Sequence, residues 1–100
     1  MEKLKAHYSL QAIQVIVARD GSRTFTFAAR RGAESMGLSR IEAVDVVLAL
    51  SSSMLYKSMT THSDSKVWQD VYHAPCPNGK IAYIKLTMRD DAVVIQFKEK

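Results

Sequence analysis

Ile81-Ala82-Tyr83-Ile84-Lys85-Leu86-Thr87-Met88, then Arg89-Asp90-Asp91, then Ala92-Val93-Val94-Ile95-Gln96-Phe97-Lys98, decides the fold. Both long runs alternate with period two, the repeat of a strand whose successive side chains leave opposite faces. Ala82, Ile84, Leu86 and Met88 share one side, and Tyr83, Lys85 and Thr87 the other. Val93, Ile95 and Phe97 alternate in the same way against Val94, Gln96 and Lys98. Arg89-Asp90-Asp91 is too short for anything but a tight connection, so the pair is antiparallel. Further back, Pro75 to Gly79 is rich in turn formers, and Asn78-Gly79 is the strongest short turn signal in the chain. Lys66 to Tyr72 and Met54 to Thr61 can both be extended. The second half is therefore a meander of about four strands.

The first half has a different period. Ser9 can cap a helix carrying Leu10, Ile13, Ile16 and Val17 on one face, ended by Asp20-Gly21. Thr24 to Phe27 is ambiguous between an extended segment and a helix entry. Ala28 to Met36 is a second helix closed by Gly37. Ser39-Arg40-Ile41-Glu42 is a capping box, opening a third helix with Ile41, Val44, Val47 and Leu48 as its predicted buried stripe, ending near Leu50. All four glycines are expected at helix ends or turns. With no repeat or linker to divide it, the chain is read as one α+β domain over residues 1–100, with three N-terminal helices on one face of a mainly antiparallel sheet. The other face is left wet.

Composition bounds what that face can do. Of 100 residues, 47% are hydrophobic and 24% charged, which fits a globular protein. No apolar run reaches the roughly 18–20 residues of a membrane span, and Met1 to Lys5 lacks a signal peptide's apolar core, so a cytoplasmic location is expected. Cys76 is the only cysteine and lies in the Pro75–Pro77 turn, where a structural thiol is expected. His7, His62 and His73 lack zinc-site spacing, and there is no phosphate-binding glycine loop; neither metal nor cofactor is expected. The net charge of +4 permits nucleic-acid binding without establishing it.

On parity, Tyr83, Lys85, Gln96 and Lys98 point away from the helices. Gln69 lies opposite Trp68 and Tyr72, and Lys57 shares a side with Met59 and not with Tyr56 or Ser58. Trp68 reads as a core residue. A face carrying Lys57, Gln69, Tyr83 and Lys98 joins two cations, an amide and a phenol without a carboxylate. Those groups suit metal-free RNA cleavage, in which the ribose 2′-OH attacks the adjacent phosphorus and the 5′-oxygen leaves. Cations stabilise the charged phosphorane, and an ionisable side chain moves the protons. A merely solvated sheet face with the same residues is the plainer alternative.

The order Tyr56-Lys57-Ser58-Met59-Thr60-Thr61, Trp68-Gln69-Asp70-Val71-Tyr72, Tyr83-Ile84-Lys85 and Phe97-Lys98-Glu99-Lys100 closely resembles the motility quorum-sensing regulator (MqsR) toxin family. The likeness is specific from about Leu50 onward and looser over the helices. It implies a RelE-like fold and a toxin that cleaves single-stranded mRNA, mostly at GCU sites, stopping translation and growth. The partner it implies is an antitoxin with a zinc-binding N-terminal domain and a helix-turn-helix C-terminal domain, through which operator DNA is bound. The family's active positions fall on Lys57, Gln69, Tyr83 and Lys98. His7, Met59, His73 and Lys85 are candidate substrate contacts. The pattern departs at His73-Ala74-Pro75, where a relative carries a basic Arg-Pro-Arg. A protonated His73 could replace that charge only below about pH 6.5. The same face would also serve a non-catalytic RNA-binding or co-regulatory subunit, and the antitoxin could plug it, extend a sheet edge or block access by bulk.

Overall fold

A computed structural model describes residues 1–100. Five strands form one antiparallel sheet in sequential order: β1 (Glu2–Lys3), β2 (Leu55–Thr60), β3 (Trp68–Pro75), β4 (Ile81–Arg89) and β5 (Ala92–Glu99). Three helices, α1 (Leu10–Asp20), α2 (Phe27–Ser35) and α3 (Arg40–Leu48), fall between β1 and β2. The architecture is thus the expected α+β arrangement with one strand more than foreseen. That strand, β1, precedes the helices and pairs Glu2 with Met59 and Lys3 with Ser58. Two residues carry no periodicity, so nothing local announces it.

Local chemistry explains the helix limits. Ser9, Thr26 and Ser39 accept from Ala12, Ala29 and Glu42 backbone N–H groups, and Glu42 reaches back to Ser39 N–H at 2.9 Å, completing the capping box. Thr24 to Phe27 does both things its ambiguity allowed: Phe25 bridges in parallel to Ile95, and Phe27 starts α2. The expected stripe of α3 needs correcting. Ala43, Val46 and Val47 are buried, followed by Leu50, whereas Ile41 is 74% exposed and Val44 and Leu48 lie on the flank. Two sets at three- and four-residue spacing overlap in this helix. The set starting at Ala43 is the one that faces inward.

The core joins Ile13, Val17, Met36 and Val47 of the helical layer to Tyr72, Ile84, Leu86, Ile95 and Phe97 of the sheet. Fully burying each such side chain contributes about 1.5–3 kcal/mol. Gly32 was expected at a helix end and instead lies inside α2, against the backbone of Phe97. His73-Ala74-Pro75 continues β3 instead of leaving it. Cys76 follows it, buried, with its thiol pushed to higher pKa by desolvation, which disfavours the thiolate. No helix is long and apolar enough to cross a membrane.

Candidate active site on the open sheet face

Strand pairing builds the face in cross-strand rows. One row runs Lys57, Val71, Lys85, Gln96 from β2 to β5. The next runs His73, Tyr83, Lys98. Met59 faces Gln69 on the other side of the first row. Lys57, Gln69, Tyr83 and Lys98 therefore share the side of the sheet turned away from the helices, with Met59, His73 and Lys85 among them. Val71 lies wholly buried beneath them, outside the main core, and forms an apolar floor.

Tyr83 is the hub. Lys98 Nζ is 5.3 Å and Lys85 Nζ 5.9 Å from its ring centroid, and the His73 ring is 5.5 Å away. Tyr56 stacks on the other side of His73 at 4.4 Å, with Lys57 Nζ 5.4 Å from the Tyr56 ring. Parity had put Tyr56 on the face opposite Lys57. The pairing shifts between Leu55 and Lys57, and this bulge aims both residues to the open face. Nothing in the sequence marks the bulge.

Two depressions meet at Lys85 and Gln96. One includes Met59, Gln69 and His62; the other runs to Tyr83, Lys98 and the α2 residues Thr26 and Ala28. Gln69 is 9% exposed, so its amide is held at the base of the first depression. The face also contains a carboxylate that sequence reasoning missed. Glu2 of β1 accepts a 2.7 Å hydrogen bond from Lys57 Nζ. This contact pushes the Lys57 pKa up and the Glu2 pKa down. Lys85 shifts the opposite way, lowered first by burial and then by the charges of Lys98 and Lys57.

Three expectations change. His7 does not join this face. Its ring stacks on Trp68 at 5.3 Å, its backbone N–H donates to Asp70, and Lys3 Nζ lies 4.2 Å from the Trp68 ring. All of these lie on the helical side, because Trp68, Asp70 and Tyr72 share that parity. Trp68 is half-buried at the edge of the core, not inside it. His73 is harder to protonate than a free imidazole: burial, then the nearby Lys100, lower its pKa, and its Nε2 is buried without a hydrogen-bond partner. Its ring lies between those of Tyr56 and Tyr83.

The face thus sets two lysines beside the Tyr83 ring, a third beside the Tyr56 ring, and a nearly buried amide among them. The sequence profile of a family described as "Motility quorum-sensing regulator, toxin of MqsA" matches residues 5–99. The chain belongs to this toxin family. A curated relative, the mRNA interferase toxin MqsR of Escherichia coli (strain K12), is 39% identical over 100 residues, covering all of both chains.

Proposed function

We propose that the protein is an mRNA interferase, a metal-independent endoribonuclease of a type II toxin–antitoxin system that cuts single-stranded mRNA at GCU sites in the cytoplasm, and that its fold is RelE-like. The observation that carries this reading is Tyr83 with the ammonium groups of both Lys98 and Lys85 near its ring, in a chain of the toxin family. Lys57 and Lys98 neutralise the phosphorane. The raised pKa of Lys57 keeps it cationic and suits it to electrostatic work. Gln69 orients the ribose or a base edge, and Met59 packs against a splayed base. Lys85, central and with a lowered pKa, contacts the phosphate and is the lysine best able to exchange a proton with Tyr83. The 2′-oxygen bonds to phosphorus and gives up its proton, the P–O5′ bond breaks, and the leaving oxygen is protonated. The products are a 2′,3′-cyclic phosphate and a 5′-hydroxyl.

The partner proposed is an antitoxin with a zinc-binding N-terminal domain and a helix-turn-helix C-terminal domain, through which the complex reaches operator DNA. Strand addition favours the β1–β2 edge, because β5 is already engaged where Thr26 N–H donates to Ile95 at 3.0 Å. The test is a GCU-containing RNA incubated with the protein in EDTA. Cyclic-phosphate ends are expected, and Lys57→Ala should lower cleavage by roughly 10²- to 10³-fold and Tyr83→Ala by roughly 10²- to 10⁴-fold, while the circular dichroism spectrum stays unchanged. Retention of uncut RNA would assign the face to a non-catalytic binder.

A further inference from the structure

The two kinds of cation are segregated. Five of the six arginines lie between residues 19 and 40, and every lysine lies outside the helical segment. Arg19 and Arg23 are paired with Asp20, but Arg30, Arg31 and Arg40 have no carboxylate within ion-pair distance. These three line a cleft of about 280 Å³ between α2 and α3, together with Phe27 and one carboxylate, Glu34. Phe27 is 73% exposed, with the Arg31 guanidinium 5.8 Å from its ring centroid. The same first turn of α2 is a wall of the depression holding Tyr83 and Lys98, through Thr26 and Ala28. The helix thus has the lysine-rich sheet face on one flank and the arginine cleft on the other, with Phe27 on the outward side.

We propose that this side of α2 is a second nucleotide-binding subsite, which holds single-stranded RNA flanking the scissile phosphate. A flanking base stacks on Phe27, and the phosphates beyond it lie along Arg31, Arg30 and Arg40. The inference rests on the reading of the sheet face as an RNA-cleaving site. Three observations favour RNA over an acidic peptide. The ring backed by a guanidinium is a flat platform suited to a base. The subsite shares a wall with the lysine-rich depression. The exposed alanine Ala28 leaves the path between them low. No core contact accounts for so exposed a phenylalanine.

The test compares a trinucleotide spanning the cleavage site with a twelve-nucleotide RNA centred on it, using wild type, Phe27→Ala, Phe27→Tyr and the double variant Arg30→Gln/Arg31→Gln. Cleavage and binding of the fluorescein-labelled RNAs are read in parallel. For the long RNA, Phe27→Ala should lower kcat/KM and affinity by about 5-fold or more, and Phe27→Tyr should restore both. The trinucleotide should be indifferent to either change. The double variant should flatten the salt dependence of long-RNA binding by a slope of about 0.7 per arginine. Equal losses on both lengths, or no loss on the long RNA, would overturn the subsite. So would variants that handle RNA normally but lose affinity for the antitoxin, which would make the cleft a protein-docking surface. Wild-type protein that cuts neither RNA would count against the activity, and the binding comparison would still decide the subsite.

Discussion

The Glu2 carboxylate lies 2.7 Å from the Lys57 ammonium, on the face where an RNA phosphate would have to bind. β1 brings it there, so the first residues of the chain supply the counter-charge of a group far along the sequence. A phosphate approaching Lys57 competes with this carboxylate. Glu2→Gln should therefore strengthen substrate binding and raise kcat/KM at low salt, by no more than about 5-fold because the carboxylate is largely exposed. The gain should fade as salt screens the pair. Steady-state cleavage of one RNA at two ionic strengths checks this, and an unchanged or lowered rate would count against phosphate binding at Lys57.

Asp70 holds the arm that carries Glu2. Its buried carboxylate accepts from the backbone N–H groups of His7 and Tyr8, both at 2.9 Å, and from the Ser58 hydroxyl at 2.6 Å. Hydrogen bonds to a charged group contribute about 1.5–3 kcal/mol each, and stranded donors cost more than the mean. Asp70→Ala should lower stability by about 3 kcal/mol or more in urea unfolding. It should also speed amide exchange at His7 and Tyr8 specifically. Uniform acceleration across the chain would mean that the aspartate stabilises the core generally, without a special hold on the arm.

This arm marks the limit of what the sequence discloses. The change of period near Leu50, the Ser39–Glu42 box and the alternation from Ile81 to Lys98 are local patterns, and each became the expected element. They sufficed to put Lys57, Gln69, Tyr83 and Lys98 on one side of the sheet. β1 depends on a partner more than fifty residues away and on a buried carboxylate, neither of which leaves a local trace. Tyr56 was assigned to the wrong face because parity assumes an unbroken register, and a bulge breaks it. Ile41 was assigned to the core because spacing identifies a stripe without saying which of two overlapping stripes faces inward. His7 matched the family's pattern, yet proximity to the site is a property of chain path that a one-dimensional match does not carry.

His73 gives a pH signature. Burial lowers its pKa below the ordinary value of 6.5. Between those two values the unfolded chain binds the proton and the folded chain does not, so stability rises with pH across that window. His73's full contribution is present above about pH 6.5 and is lost as pH falls toward the folded pKa. His73→Phe keeps a ring between Tyr56 and Tyr83 while removing the proton site. Melting temperatures at pH 7.5 and 5.5 should show a smaller acid-induced drop in this variant than in wild type, with cleavage at neutral pH nearly unchanged. A large loss of neutral-pH cleavage in His73→Phe would instead give the imidazole a direct part in catalysis.

Gly32 couples the helical layer to the proposed site. A Cβ built there overlaps the Phe97 carbonyl oxygen and comes within 3.3 Å of the Lys98 Cα, both backbone atoms that cannot swing aside. The glycine therefore sets how closely α2 approaches β5, next to the residue that pairs with Tyr83. Ordinarily Gly→Ala inside a helix is stabilising, by up to about 1 kcal/mol. Here overpacking, at about 1–3 kcal/mol, should outweigh that gain and make Gly32→Ala a net loss in urea unfolding. The displaced strand end should also move Lys98 relative to Tyr83 and lower kcat by 10-fold or more, since about 1 Å of misplacement can cost roughly 10²-fold. Ala33→Gly, one position along, removes a buried methyl without creating the clash and serves as the control. It should lower stability while leaving kcat nearly intact. If Gly32→Ala proves as stable and as active as wild type, the close packing of α2 on β5 is not what positions Lys98.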